Sequence, residues 1–202
     1  MRYVDTFMSL RSSADILNVV NPLGSKATKE ITESMAIFQK LRKIVLKNPM
    51  KYSLLDLCAG NALTSVLSIH VLPITHAVAV DKRPRTRKWE NVKRFEYQNV
   101  DIFRDDIFRL IDEKTIICAV HPCSSLAERT AEIYLNSPAP YLILMPCCEG
   151  QAHFKGQYLK QLLGKYGCWC LHLAEKVNGE IHQDKHCISP KNIVILAKKE
   201  WV

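Results

Sequence analysis

The sequence predicts an open α/β fold, a mostly parallel sheet covered by helices on both faces, and three observations lead there. Apolar runs of strand length recur between helical or turn-rich stretches, at residues 53–57, 77–80, 115–120, 141–145, 168–173 and 192–197, which is alternating α/β order. Runs such as Ile116-Ile117-Cys118-Ala119-Val120 are apolar at every position, the pattern of strands buried on both sides. Between the last two runs lies loop-like sequence with Asn178-Gly179 and Ser189-Pro190. Those two strands need no crossover helix and are expected as an antiparallel final pair.

At the start of the chain, residues 1–26 read as one or two short helices closed by the turn Asn21-Pro22-Leu23-Gly24. From Ala27 to Asn48, Ile31, Met35, Ile37, Phe38, Leu41, Ile44 and Val45 recur at helical spacing between charged residues, so an amphipathic helix is expected to pack on the sheet. The 202 residues, 48% hydrophobic and 24% charged, suffice for one sizeable core. A single domain, 1–202, is expected, with 1–48 as a helical segment packed on it. No internal repeat or low-complexity tract is present.

Residues 53–65, Ser-Leu-Leu-Asp-Leu-Cys-Ala-Gly-Asn-Ala-Leu-Thr-Ser, read as strand, tight turn and helix start, with small residues where a backbone approaches a ligand. A dinucleotide-binding turn needs several glycines near the pyrophosphate. This one keeps only Gly60 and carries Cys58 and Ala62 beside it. S-adenosylmethionine (SAM) has no phosphate, so the turn argues for SAM over NAD. Cys58, Ala59, Gly60 and Asn61 would form its loop, and Asp56 would orient the loop or meet the cationic methionine end. The next strand ends in Asp81, 25 residues after Asp56, near the spacing at which a carboxylate receives a ribose diol. Lys82 comes directly after it. Alone, an Asp-x-x-Ala-Gly step is equally a helix-capping turn; the second acid favours a cofactor site.

The net charge is +8 and the pI about 9.1, which favours a polyanionic partner, nucleic acid first, although basic proteins that bind no nucleic acid are common. The run from Lys82 to Trp89 carries Arg83, Arg85, Arg87 and Lys88. It reads as a phosphate-contacting loop with a stacking residue, or alternatively as a solvated charged face. No segment approaches the ~18 apolar residues that span a bilayer, and no secretory signal opens the chain. An intracellular, cytoplasmic, membrane-free protein is expected, with its eight cysteines reduced.

Val120-His121-Pro122-Cys123-Ser124-Ser125 and Pro146-Cys147-Cys148-Glu149-Gly150 each come after an apolar run, placing both at carboxyl ends of strands, where open α/β sheets bind ligands. At these steps the chain resembles the Rossmann-like class I SAM-dependent methyltransferases, and within them the group that includes the eukaryotic tRNA acceptor-stem 2′-O-methyltransferases. Members carry a leucine-histidine-x-cysteine-glycine step after strand four and a Cys-Cys step after strand five. His121-x-Cys123 and Cys147-Cys148 match those positions, and residues 189–195 resemble the last strand. Ser124 replaces the glycine. The resemblance covers about residues 30–199. It implies a seven-stranded sheet, SAM as cofactor, adenine contacts from Asp101 and Ile102, and an RNA substrate near Pro146 and Cys148.

Methyl transfer requires an acceptor held in line and, often, removal of a proton. His121 is the expected base and adjoins the cofactor, although a strand-end histidine equally serves as a structural hydrogen-bonder. Pro122-Cys123 also resembles the step in RNA 5-methylcytosine enzymes, in which Cys147 would attack the base. Those enzymes place an aspartate before that step, where this chain has Val120 and His121. A catalytically silent RNA-binding or partner subunit is a further alternative, kept open by the glycine-poor turn. Cys168, Cys170, His182, His186 and Cys187 offer zinc-ligand types at loose spacing; no metal is expected.

Overall fold

The computed structural model describes residues 2–22, 24–150 and 157–200. Leu23 of the predicted Asn21–Gly24 turn lies outside the described residues. Seven strands form one sheet: β1 (Ser53–Leu57), β2 (Ala77–Val80), β3 (Phe95–Gln98), β4 (Thr115–Val120), β5 (Tyr141–Met145), β6 (Glu180–Gln183) and β7 (Ile193–Lys198). Their spatial order is β3-β2-β1-β4-β5-β7-β6. β1 to β5 run parallel, and β7 pairs antiparallel with both β5 and β6. This is the predicted sheet.

Two cores flank it. On one face lie α1 (Tyr3–Met8), α2 (Ser13–Val20), α3 (Ala27–Val45) and α4 (Leu63–Val71), with Phe7, Ile16, Met35, Leu41, Val66 and Leu67 buried. On the other lie α5 (Ser125–Leu135) and α6 (Gln157–Val177), with Ala127, Ala131, Trp169, Leu173 and Val177 buried. The apolar stripe of α3 extends as the helical period requires. The N-terminal helices are tied in by the Tyr3 hydroxyl, which donates to Asp184 Oδ2 at 2.6 Å. No helix among the described residues is long and apolar enough to cross a membrane.

One element differs from the reading of the sequence. Residues 168–173, expected as a strand, lie in α6, a helix broken at Gly164 by φ 65° and ψ 175°. Trp169, Leu173 and Val177 are buried at i, i+4 spacing along it. An apolar run of six residues does not by itself distinguish a strand from a buried helix segment. The partner of β7 is instead β6, and β6 and β3 are edge strands of mostly part-exposed, polar sequence that a search for apolar runs passes over.

Candidate active site

The strand order reverses between β2 and β4 on either side of β1, and ligands of such sheets sit beyond the strand ends at that reversal. Asp56, Asp81, Asn99 and His121 all lie at or just past those ends. After β1 the backbone turns through left-handed residues at alternate positions: Cys58 (φ 58°), Gly60 (φ 56°) and Ala62 (φ 60°). An L-residue held there costs about 1–2 kcal/mol, so the turn keeps a glycine-type path at Cys58 and Ala62 without glycine.

Hydrogen bonds fix that path. Asp81 is 5% exposed; its Oδ2 accepts the Gly60 N–H at 2.9 Å and its Oδ1 the Arg83 N–H at 2.9 Å. Oδ1 also faces the Arg83 guanidinium at 3.5 Å, Oδ2 retains a further acceptor site, and Asp81 lines a cavity of about 390 Å³ together with Cys58, Asp101, Ile102, Phe103 and Leu126. The Asp101 carboxylate is held below its usual range by the Lys82 ammonium, which approaches its Oδ2 to 2.8 Å. Asn99 donates to the carbonyls of Asp81 and Lys82, joining the ends of β2 and β3.

Asp56 is 1% exposed. Its Oδ2 accepts the Ser65 hydroxyl at 2.6 Å, while its buried Oδ1 has no partner. Burial pushes its pKa up to about 6. Through Ser65, Asp56 ties β1 to the start of α4 behind the loop.

A second cavity, about 340 Å³, lies on the other side of the loop, among Lys26, Glu33, Asn61, Thr64, Arg85 and His121. His121, Cys58 and Arg83 line both cavities. His121 is held at φ 57°, with its N–H on Met145 O at 2.7 Å. Its Nε2 lies 3.3 Å from Glu33 Oε1, and neither atom has an aligned hydrogen bond. Burial, helped by the positive charge of Lys29, lowers the His121 pKa to about 4, so the ring is neutral at neutral pH. Burial likewise raises the pKa of Glu33. The sequence reading missed Glu33; its one signal was an acid inside the stretch where α3 turns its buried face.

The basic run divides. Arg87 donates from Nε to the Val20 carbonyl and from Nη2 to Asn61 Oδ1, and Arg85 donates to the same oxygen. Arg87 ties the loop to α2, both arginines tie it to Asn61, and Asn61 is spent on them and on Glu30. Lys82, Arg83 and Lys88 are exposed. Trp89, expected as a stacking residue, already stacks on Tyr97 at 3.6 Å between ring centroids.

Cys123, Cys147 and Cys148 meet beyond β4 and β5, with sulfurs 3.3–3.4 Å apart. Burial raises the thiol pKa values of Cys123 and Cys147, opposite to the activation a nucleophilic cysteine needs. Pro146 is buried, and its carbonyl accepts the Tyr166 hydroxyl.

A family model described as Methyltransferase domain matches residues 26–153, more than half of the chain. The chain belongs to this methyltransferase family. S-adenosylmethionine is accordingly its methyl donor, and the residues fit that cofactor: acids just past β2 and β3, Asp81 and Asp101, line an apolar pocket with Ile102, Phe103 and Leu126. No curated protein sequence matches the methyltransferase. Among solved structures, a protein from Thermobifida fusca YX assigned provisionally to the methyltransferases aligns at TM-score 0.51 and 13% identity, covering 98% of this chain and 93% of that one. A cyclopropane-fatty-acyl-phospholipid synthase-like protein from Lactobacillus casei aligns at TM-score 0.50 and 12% identity, covering 90% and 79%. Likeness at these identities establishes the shared fold alone.

Proposed function

We propose that this methyltransferase modifies RNA, a tRNA-like substrate, at an oxygen or nitrogen acceptor, with His121 taking the proton that the acceptor loses. The observation that carries this reading is the place of His121, which lines both cavities at once beside Glu33. When bound, SAM supplies an electrophilic methyl on a sulfonium. Asp81, Lys82, Asp101 and Ile102 would hold its adenosine end. The loop of Cys58, Ala59, Gly60 and Asn61, which lines the second cavity, would hold its methionine end, with Asp56 orienting the loop from behind through Ser65. The neutral imidazole offers a lone pair for the acceptor proton, with Glu33 Oε1 3.3 Å from its Nε2.

The net charge of +8, exposed Lys82 and Arg83 at the site and exposed Lys88 nearby favour a polyanion, because phosphate neutralisation by such side chains drives nucleic-acid binding. Arg83 and Arg85 also line the second cavity.

The test is transfer from methyl-labelled SAM to bulk RNA, read by nucleoside mass spectrometry, with calorimetry of SAM binding alongside. Label is expected in one modified nucleoside and is expected to vanish in Asp81→Ala and His121→Ala. Absence of SAM binding overturns the cofactor assignment. SAM binding with RNA binding but no transfer replaces the enzyme by a catalytically silent RNA-binding subunit.

A further inference from the structure

We propose that Cys123, Cys147 and Cys148 form a three-thiolate binding site for a zinc ion. Among the described residues, these are the only three or more His, Cys, Asp or Glu side chains whose ligand atoms all lie within 4.8 Å of one another. The zinc-ligand types nearer the C-terminus do not assemble: Cys168 and Cys170 are in α6, His186 packs on the Tyr3 ring, and Cys187 contacts Thr32.

The three sulfurs form a nearly equilateral triangle, with Cys123–Cys147 and Cys148–Cys123 at 3.3 Å and Cys147–Cys148 at 3.4 Å. Zinc–thiolate bonds of about 2.3 Å in a tetrahedron place sulfurs about 3.8 Å apart, so each must move outward by only a few tenths of an ångström. The ligands stand where such movement is easy, in loops just past two strand ends, with Cys123 and Cys148 exposed.

The fold holds the triangle in place. β4 and β5 pair in parallel with Val120 opposite Met145, so the two cysteine-bearing steps leave the sheet side by side. Positive φ at His121 (57°) and Ser124 (43°) brackets Cys123, the kind of strained backbone that clusters at functional sites. As free thiols the cluster is poorly used: the Cys147 thiol reaches the His121 carbonyl at 3.3 Å and the Pro122 carbonyl at 4.0 Å, the Cys123 thiol reaches the His121 carbonyl at 3.9 Å, and the other contacts are sulfur on sulfur. Replacing three thiol protons by one divalent cation releases three protons and leaves a single net negative charge. Arg83, which lines the same cavity as Cys123, offsets that charge. Three protein ligands leave a fourth position for a solvent or substrate atom, and Cys123 lines the cofactor-side cavity. The site is independent of which acceptor the enzyme methylates.

The experiment uses the full chain purified under reducing conditions without chelator. Elemental analysis is expected to find one zinc per chain, and cobalt added to stripped protein should give a thiolate-to-cobalt charge-transfer band. Cys148→Ser and Cys123→Ser should reduce both signals to background, whereas Cys187→Ala should keep them. Where a variant fails to fold, maleimide labelling of the unaltered chain decides: zinc should protect Cys123 and Cys148, and chelator should expose them. Substoichiometric zinc without a cobalt band, labelling unaffected by zinc, or a Cys–Cys disulfide in place of bound metal would each overturn the proposal.

Discussion

Asp56→Asn is expected to stabilise the apoprotein at alkaline pH and to leave it unchanged near pH 4. The carboxyl is buried, and its pKa is raised from 3.8 to about 6, with burial as the main cause. Below pH 3.8 it is protonated in both folded and unfolded chains and contributes no pH dependence. Between about 4 and 6 the unfolded chain ionises while the folded one retains its proton, so folding weakens as pH rises. Above 6 the loss is complete. Two pKa units at about 1.36 kcal/mol each make it about 3 kcal/mol. Asparagine keeps the oxygen that accepts the Ser65 hydroxyl and never ionises. For a domain of this size the thermal midpoint of Asp56→Asn should exceed that of the parent by about 6–12 °C at pH 8. The gap should close by pH 4. Unfolding of both proteins from pH 4 to 8, without cofactor, checks this. A difference that does not vary with pH, or a variant less stable at pH 8, refutes the assignment of a buried, uncompensated charge.

Three further outcomes are expected. Asp81→Ala should weaken SAM binding by at least about tenfold in calorimetry, since it removes charge-assisted hydrogen bonds and releases the Gly60 N–H that shapes the loop. His121→Ala should lower the rate of methyl transfer by about 10²–10⁴-fold, the contribution of a positioned base, with SAM affinity nearly unchanged; a loss of affinity as large as the loss of rate would make the residue a cofactor contact only. Arg83→Ala and Arg87→Ala should separate. The exposed Arg83 should reduce the salt dependence of RNA binding by about one phosphate contact without changing stability, while Arg87, bonded to Val20 and Asn61, should cost about 1–3 kcal/mol in denaturant unfolding.

Asp56 and Asp81 could be placed at strand ends because one-dimensional periodicity reveals the apolar runs they close, and the parallel strands β1, β2, β4 and β5 could be read from the same runs; the antiparallel end was expected from 168–173, which is helix, and is made by the polar edge strand β6. The chain also announces its basic loop, yet the partners of that loop are contributed by α2 and Asn61, far from it in sequence. The same distance in sequence hides the approach of Glu33 to His121, since α3 and the end of β4 meet only through packing.

By itself, then, the sequence determines where the central strands that carry Asp56 and precede Asp81 lie, because burial on both faces demands largely apolar runs. It leaves open the identity of a short apolar run such as 168–173, which helix packing alone decided. It shows Cys123 and Cys147-Cys148 as separate steps 24 residues apart. Only the parallel register of β4 and β5 brings their sulfurs to 3.3 Å, because a contact between residues remote along the chain is set by strand pairing and not by local preference.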